Sequence, residues 1–276
     1  MAGAGVYCLN VQPFQKIGNG VVGEHALILA RPGTGQSSFK GCYHRNVWTS
    51  GKRKRGWLRA FLTWVATLIA VFYLAGLIVL VALRWVDPPV TMVQAQRRVE
   101  AWVRRKPYKK RQQWEPLGRI APDLQHAVVA AEDGRFFQHH GIDWKEVQKV
   151  VDKDVEDGRL GRGGSTITQQ LVKNLFFTTS RSVLRKGVEF TLAPLAEWVL
   201  PKKRILELYL NVIEWGPGVY GAEAAARSWY GIPAARVNRE QAARLAAVIP
   251  SPLRRKPARM SSYSAEILRR MEQTGW

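Results

Sequence analysis

The chain has 276 residues, enough for one good domain plus attached segments, and a formal net charge of +21. Its only cysteines, Cys8 and Cys42, lie near the beginning, and no Cys/His cluster has zinc-site spacing, which excludes a domain built on disulfides or structural zinc. The charge is uneven: residues 1–119 hold 19 Lys and Arg against 4 Asp and Glu, and residues 120–276 hold 23 against 17. A basic balance suits nucleic acid, anionic lipid or phosphorylated substrates. An apolar segment inside the basic half turns the choice toward lipid and substrate phosphates, and away from nucleic acid.

Residues 1–50 are rich in Gly and small polar residues and show no period; they read as a poorly ordered tail. Ser37-Ser38-Phe39-Lys40 has the Ser-x-x-Lys spacing of penicillin-binding transpeptidases, but no Ser-Asp-Asn or Lys-Thr-Gly accompanies it, so it receives no role. Ala60–Leu83 then runs 24 residues without a charge, longer than the ~20 apolar residues that span a bilayer. Trp57, Trp64 and Trp85 near its ends suit the headgroup layer. Lys52-Arg53-Lys54-Arg55 before it favours a cytoplasmic N-terminus, but Arg97, Arg98, Arg104, Arg105, Lys106, Lys109, Lys110 and Arg111 follow it, so local charge does not decide the orientation. Residues 86–118 read as a basic, partly helical connector.

From about residue 119 the pattern is helical. Leu124, Ala127, Val128 and Ala131 form one apolar face that ends at Glu132. Trp144, Val147, Val151 and Val155 form a second, stopped by Asp157-Gly158; Ile205, Leu206, Tyr209 and Leu210 form a third. Ala242–Ile249 form a fourth, opened by Asn238 as N-cap with Gln241 three residues on. No strand alternation competes, so the fold class is mainly α.

Three segments carry chemistry. Glu132-Asp133 stands at a helix end, followed by Phe136-Phe137, His139-His140 and Gly141. A carboxylate there is placed for acid–base work in a cleft; Asp133, Phe136 and His139 read as structural support. In the second segment, Gly161–Gly164 form a loop and Ser165 is the expected N-cap. Ile167, Leu171 and Leu175 then line one helix side, with Thr166, Gln170 and Lys173 on another and Gln169 beside them. An uncharged polar stripe leading to one lysine suits a sugar and its phosphate, and so does an ordinary solvated face. In the third segment Arg185 and Lys186 precede Glu189 by four and three residues, the spacing of a routine helical ion pair; Glu189 is also a candidate second carboxylate, with Arg181 and Lys173 as cleft cations.

Five ordered motifs bring these residues together: Glu132–Gly141 as Glu-Asp-x-x-Phe-x-x-His-x-Gly, Gly164–Asn174 as Gly-Ser-Thr-Ile-x-Gln-Gln-x-x-Lys-Asn, Arg185–Glu189 as Arg-Lys-x-x-Glu, Lys202–Asn211 as Lys-x-x-Ile-Leu-Glu-x-Tyr-Leu-Asn, and Gly221–Ala226 as Gly-Ala-x-x-Ala-Ala. In this the chain resembles the peptidoglycan glycosyltransferases, glycosyltransferase family 51, over roughly 115–260. Two departures stand out: Pro194, expected to kink the helix after Glu189 and so to unsettle Glu197, and Trp229-Tyr230 where the family has Tyr-Phe.

The resemblance implies a lysozyme-like two-lobed α-helical domain with a single N-terminal transmembrane helix. The organisation it suggests is a cytoplasmic tail (1–56), a transmembrane helix (57–85), a basic juxtamembrane connector (86–114), the glycosyltransferase domain (115–260) and a C-terminal tail (261–276) too short for a transpeptidase. It implies an inner-membrane protein with its catalytic domain in the periplasm. The implied substrate is lipid II, extended into a β-1,4 glycan that stays on its lipid carrier, with penicillin-binding proteins and the division or elongation machinery as partners. Glu132 is the implied base and Glu189 the second acid. Lys173, Arg181, Arg185 and Lys186 would serve the diphosphate, with Gly164, Ser165, Thr166, Gln169, Gln170 and Asn174 around it. A divalent cation, Mg or Mn, is a candidate cofactor. Competing readings are a lysozyme-like lytic transglycosylase or hydrolase, and a membrane-anchored cell-wall scaffold without activity. The basic cluster argues against the first, because protonating a sugar leaving group does not call for it; retention of Glu132, Glu189, Lys173 and Arg181 argues against the second.

Overall fold

The computed structural model describes residues 50–157, 164–180 and 182–276, without the side chains of 50–55, 154, 155 and 157. The N-terminal tail with Cys8, Cys42 and Ser37–Lys40, the loop 158–163, and Arg181 lie outside the described residues. Among the described residues ten α-helices follow in order: α1 (Ser50–Ala82), α2 (Met92–Val103), α3 (Pro122–Glu132), α4 (Trp144–Asp157), α5 (Ile167–Phe176), α6 (Val183–Val199), α7 (Lys202–Val212), α8 (Ala222–Tyr230), α9 (Arg239–Ala246) and α10 (Ser261–Gln273). Three short strands, β1 (Arg111–Gln112), β2 (Glu214–Gly216) and β3 (Val219–Tyr220), form a sheet in the order β1-β3-β2.

The expected helices are present, and the mainly α fold class holds. α3 starts with Pro122 at its first position, where a missing N–H costs nothing, and packs its buried Leu124, Ala127 and Val128 against α9 and α10. α9 has the expected capping box between Asn238 and Gln241. α5 packs against both α6 and α7, and Ile205, Leu206 and Tyr209 of α7 are buried. α4 differs from its pattern: Trp144 and Val151 are exposed, and the Trp144 ring lies 6.4 Å from that of Phe190.

The small sheet was not foreseen. Its strands are two or three residues long, too short for alternation to register, and β1 pairs in parallel with β3 across a hundred residues of chain. Gly218, at φ +71°, makes the β2–β3 turn; a Cβ there would lie 2.6 Å from the Lys109 carbonyl oxygen.

Residues read as connector and tail are built into the fold. α2 opens with a Thr91/Gln94 capping box, and Arg97 pairs with the buried Glu214 at 3.1 Å. Fully buried Asn211 donates to the Glu115 and Glu207 carbonyls, both at 2.8 Å, and accepts from the Glu115 N–H at 2.9 Å. At the other end, Ile267 and Met271 of α10 are wholly buried, and Trp276 stacks on His126 at 4.7 Å. Boundaries drawn at 115 and 260 therefore cut through packed structure. Linker-like composition misled there, because the burying partners are distant in sequence.

The stretch Gly56–Ala82 of α1 is long and apolar enough to cross a membrane. Its later turns belong to the same compact unit as the helices that follow, Val65–Trp276. Tyr73 hydrogen-bonds Thr191 of α6 at 2.5 Å, and Gly76 faces Leu192, where a Cβ would make an ordinary contact at 3.8 Å. Leu80 is fully buried, and Arg204 of α7 donates to the Leu83 and Val86 carbonyls. Most other large side chains along this stretch, such as Leu68, Leu74 and Ile78, are exposed.

Candidate active site

Glu132 is the last residue of α3, and its Oε2 accepts a 2.7 Å hydrogen bond from Gln170 Nε2 on α5. Gln170 Oε1 in turn accepts from the Tyr209 hydroxyl on α7 at 2.9 Å. Burial raises the Glu132 pKa above its ordinary value; the Gln170 hydrogen bond and the charges of Lys173 and Arg255 oppose that rise, and Asp133 adds to it. The result is a carboxylate with heightened basicity and one engaged oxygen.

Asp133 has a different task. Its carboxylate accepts from His139 Nε2 at 2.9 and 3.0 Å and from the Ile167 N–H, the first of α5, at 3.0 Å. It thus pins the end of α3 to the start of α5. Phe136 is fully buried beneath the Lys202 ammonium, which lies 4.2 Å from the ring centre and pairs with Glu197 at 2.8 Å. Glu197 also accepts from Thr168 at 2.6 Å. Pro194 sits inside a continuous α6, so Glu197 is held despite it. Gly141, at φ +87°, passes against the backbone at that proline: a Cβ there would be 2.7 Å from Pro194 N.

The polar residues around α5 divide by task. Thr166, not Ser165, is the N-cap, in a reciprocal capping box with Gln169. Thr166 also donates to the Gly141 carbonyl at 2.6 Å, and both Thr166 and Gln169 are buried. These two, expected at the substrate, are engaged in the cap, though Gln169 Nε2 is buried with no hydrogen-bond partner among the described residues; Ser165 and Thr166 could each cap by residue type. Asn174 is buried and donates to the Gln170 carbonyl at 2.8 Å. Ser165 accepts from Lys186 at 2.8 Å.

Glu189 is buried between two cations, Arg185 at 2.5 Å and Lys186 at 3.5 Å. The Lys173 ammonium makes no hydrogen bond or ion pair with any described residue, while its backbone carbonyl accepts from the Phe177 N–H at 3.0 Å. Burial lowers its pKa, Glu189 and Glu132 raise it, and Arg185 and Lys186 lower it. Burial likewise lowers the Lys186 pKa, against the pull of Glu189. Lys173 therefore lies in the field of both carboxylates, with an ammonium committed to neither. Sequence reasoning missed Arg255, Tyr209, Glu197 and Lys202 as contributors. Tyr209 and Lys202 stood within a quoted motif; nothing local marked Arg255.

Among the described residues a divalent cation finds no open ligand set. Asp133, His139 and Asp143 are the described group with suitable spacing. Yet Asp133 is taken up by His139 and Ile167, and Asp143 by Arg135 and the Glu146 N–H. The guanidinium of Arg135 already supplies the positive charge at that point, so the residues do not fit a metal and no step is routed through one.

Among the described residues the arrangement offers one buried carboxylate of raised pKa, one ammonium without a partner and a paired basic cluster on α3, α5 and α6. The Transglycosylase family model matches residues 98–273. Among similar proteins are biosynthetic peptidoglycan transglycosylases of Pseudomonas putida (45% identical over 210 residues, 74% of this chain and 89% of that one), Chromohalobacter salexigens (44% over 227 residues, 80% and 96%) and Pseudomonas aeruginosa (44% over 207 residues, 75% and 89%). With the match spanning most of the chain, and its motifs meeting at Glu132 and Lys173, the protein belongs to the transglycosylase family.

Proposed function

We propose that the protein is a peptidoglycan glycosyltransferase that polymerises lipid II for cell-wall synthesis. The observation that carries this reading is the buried Glu132 carboxylate, held by Gln170, in the field of a Lys173 ammonium that no described residue pairs. In the reaction, Glu132 takes the proton of the acceptor GlcNAc 4-hydroxyl. That oxygen forms a bond to C1 of the donor MurNAc as the C1–O bond to the lipid diphosphate breaks. The bonding pair leaves with the diphosphate, inversion gives the β-1,4 link, and the proton passes from Glu132 to solvent. Diphosphate leaves readily once its charge is met, so cations outweigh a general acid. Lys173 meets that charge directly, Lys186 and Arg185 stand behind it, and Glu189 orients those two.

The apolar stretch of α1 is a membrane anchor in this reading. The N-terminus is cytoplasmic and the catalytic domain periplasmic, at the inner membrane, where lipid II and the growing chain are held and where penicillin-binding proteins and the division or elongation machinery are the expected partners. α2 supports the arrangement. It starts soon after α1 ends, and its exposed Val99, Trp102 and Val103 adjoin exposed Arg98, Arg104, Arg105 and Lys106, a pattern suited to an anionic headgroup layer.

The test is polymerisation of labelled lipid II by the purified full-length protein in bilayers, with Glu132→Gln expected to abolish it while the fold persists. Polymerisation that survives in Glu132→Gln refutes the base. Release of soluble fragments from finished peptidoglycan without consumption of lipid II refutes the reaction. Activity indifferent to anionic lipid refutes the role of α2.

A further inference from the structure

Three side chains from three helices form a single chain of hydrogen bonds: the Tyr209 hydroxyl to Gln170 Oε1 at 2.9 Å, and Gln170 Nε2 to Glu132 Oε2 at 2.7 Å. Tyr209 is wholly buried, and among the described residues its hydroxyl has no other hydrogen-bond partner. A primary amide donates at one end and accepts at the other. If the Gln170 amide were turned over, its oxygen would face the Glu132 carboxylate and its nitrogen the phenol. The phenolic O–H, which needs an acceptor, selects the orientation in which Gln170 donates to Glu132. Glu132 Oε1 makes no hydrogen bond with the described residues and is the oxygen left for chemistry. Other charges facing Glu132 are Lys173 on α5, Arg255 beyond α9, and its chain neighbour Asp133; none is hydrogen-bonded to it.

We propose that Tyr209 is a positioning residue for glycosyl transfer: by fixing the Gln170 amide it holds Glu132 through one oxygen as an ionised acceptor and presents the other to the incoming hydroxyl. The inference rests on Glu132 being the base. Burial favours the neutral acid, and the Gln170 N–H opposes it because a hydrogen bond donated to the ionised carboxylate is stronger than one donated to the neutral acid. Without the phenol that donor is no longer fixed. A rotated amide would accept from a protonated Glu132 and so stabilise the wrong state. Position 209 thus acts on ionisation, from one residue beyond contact with the base.

The experiment is the pH dependence of lipid II polymerisation by full-length Tyr209→Phe in bilayers, with circular dichroism and a thermal melt to establish the fold. The acid limb of kcat/KM is expected to move up by about one pH unit, the size of one lost hydrogen bond to a charged group. KM on the alkaline side should be nearly unchanged. Gln170→Met, which removes the middle of the chain, should move the limb in the same direction, and Tyr209→Phe should add no further shift in that background. If Tyr209→Phe fails to fold, Gln170→Met alone carries the test. An acid limb that stays in place, or a loss by the same factor at every pH, overturns the proposal. The Glu132→Gln control tells the two failures apart: polymerisation by Glu132→Gln removes the base itself, whereas an inactive Glu132→Gln with an unshifted Tyr209→Phe removes only the relay.

Discussion

Asp133→Ala is expected to lower stability by about 3 kcal/mol, and through that to distort the site. Two contacts are lost. The bond to the Ile167 N–H satisfies the first donor of α5, a capping contact worth ~1 kcal/mol. The pairing with His139 lies in the interior, where the side chains are 9% and 2% exposed, and a buried polar group left without its partner costs ~1–3 kcal/mol. For a folded unit the size of Val65–Trp276 that predicts a melting point lower by roughly 6–12 °C. Asp133→Asn is expected to fall between. It keeps an oxygen for Ile167 but offers His139 Nε2 an N–H, which drives the imidazole proton to Nδ1, a buried atom with no partner. The assay is a tryptophan-fluorescence melt in detergent, paired with polymerisation measured well below both melting points. An Asp133→Ala protein that melts with the wild type and has no turnover would refute the reasoning, because Asp133 would then be acting in the chemistry and not in the frame.

Arg97→Met leaves buried Glu214 without its cation and is expected to cost ~3 kcal/mol at neutral pH. The Glu214 pKa is already raised by burial, with Arg97 opposing, so the folded state holds its proton more tightly than the unfolded chain does. Stability from this group therefore falls as pH rises from the ordinary carboxylate range through the raised value, and chemical denaturation across that window should fall more steeply in Arg97→Met; parallel curves would contradict this. Ile267→Ala is expected to destabilise by ~2–5 kcal/mol, the cost of a fully buried truncation, and an unchanged melt would return 261–276 to the status of a tail.

Sequence patterns disclosed what is local. The apolar faces of α3 and α7 recur at helical spacing within one segment, and the Asn238–Gln241 cap of α9 is written in four consecutive residues. The Glu132 and Lys173 site was legible because five spaced motifs point to it together. What pairs across distance was hidden. β1 and β3 are each two residues long and become strands only by meeting one another. α2 and α10 look like solvent-facing segments until Glu214 and the α3–α9 face are placed against them. Within the polar stripe of α5, residue type could not tell Gln169 in the cap from Gln170 at the base; one position along a helix, about 100° of rotation, separates the two roles.

The Tyr73–Thr191 contact has a consequence for where the reaction takes place. Thr191 lies two positions past Glu189 on the same helix, a rise of ~3 Å, so the proposed diphosphate site and the grip on the apolar helix share one helix. Tyr73 is nine positions before the end of α1, or ~13 Å along its axis. In the proposed topology the anchor therefore acts as a depth gauge: it fixes the level of the diphosphate pocket against the lipid. A substrate whose carrier never leaves the bilayer can then enter from the side at the height where its phosphates already lie.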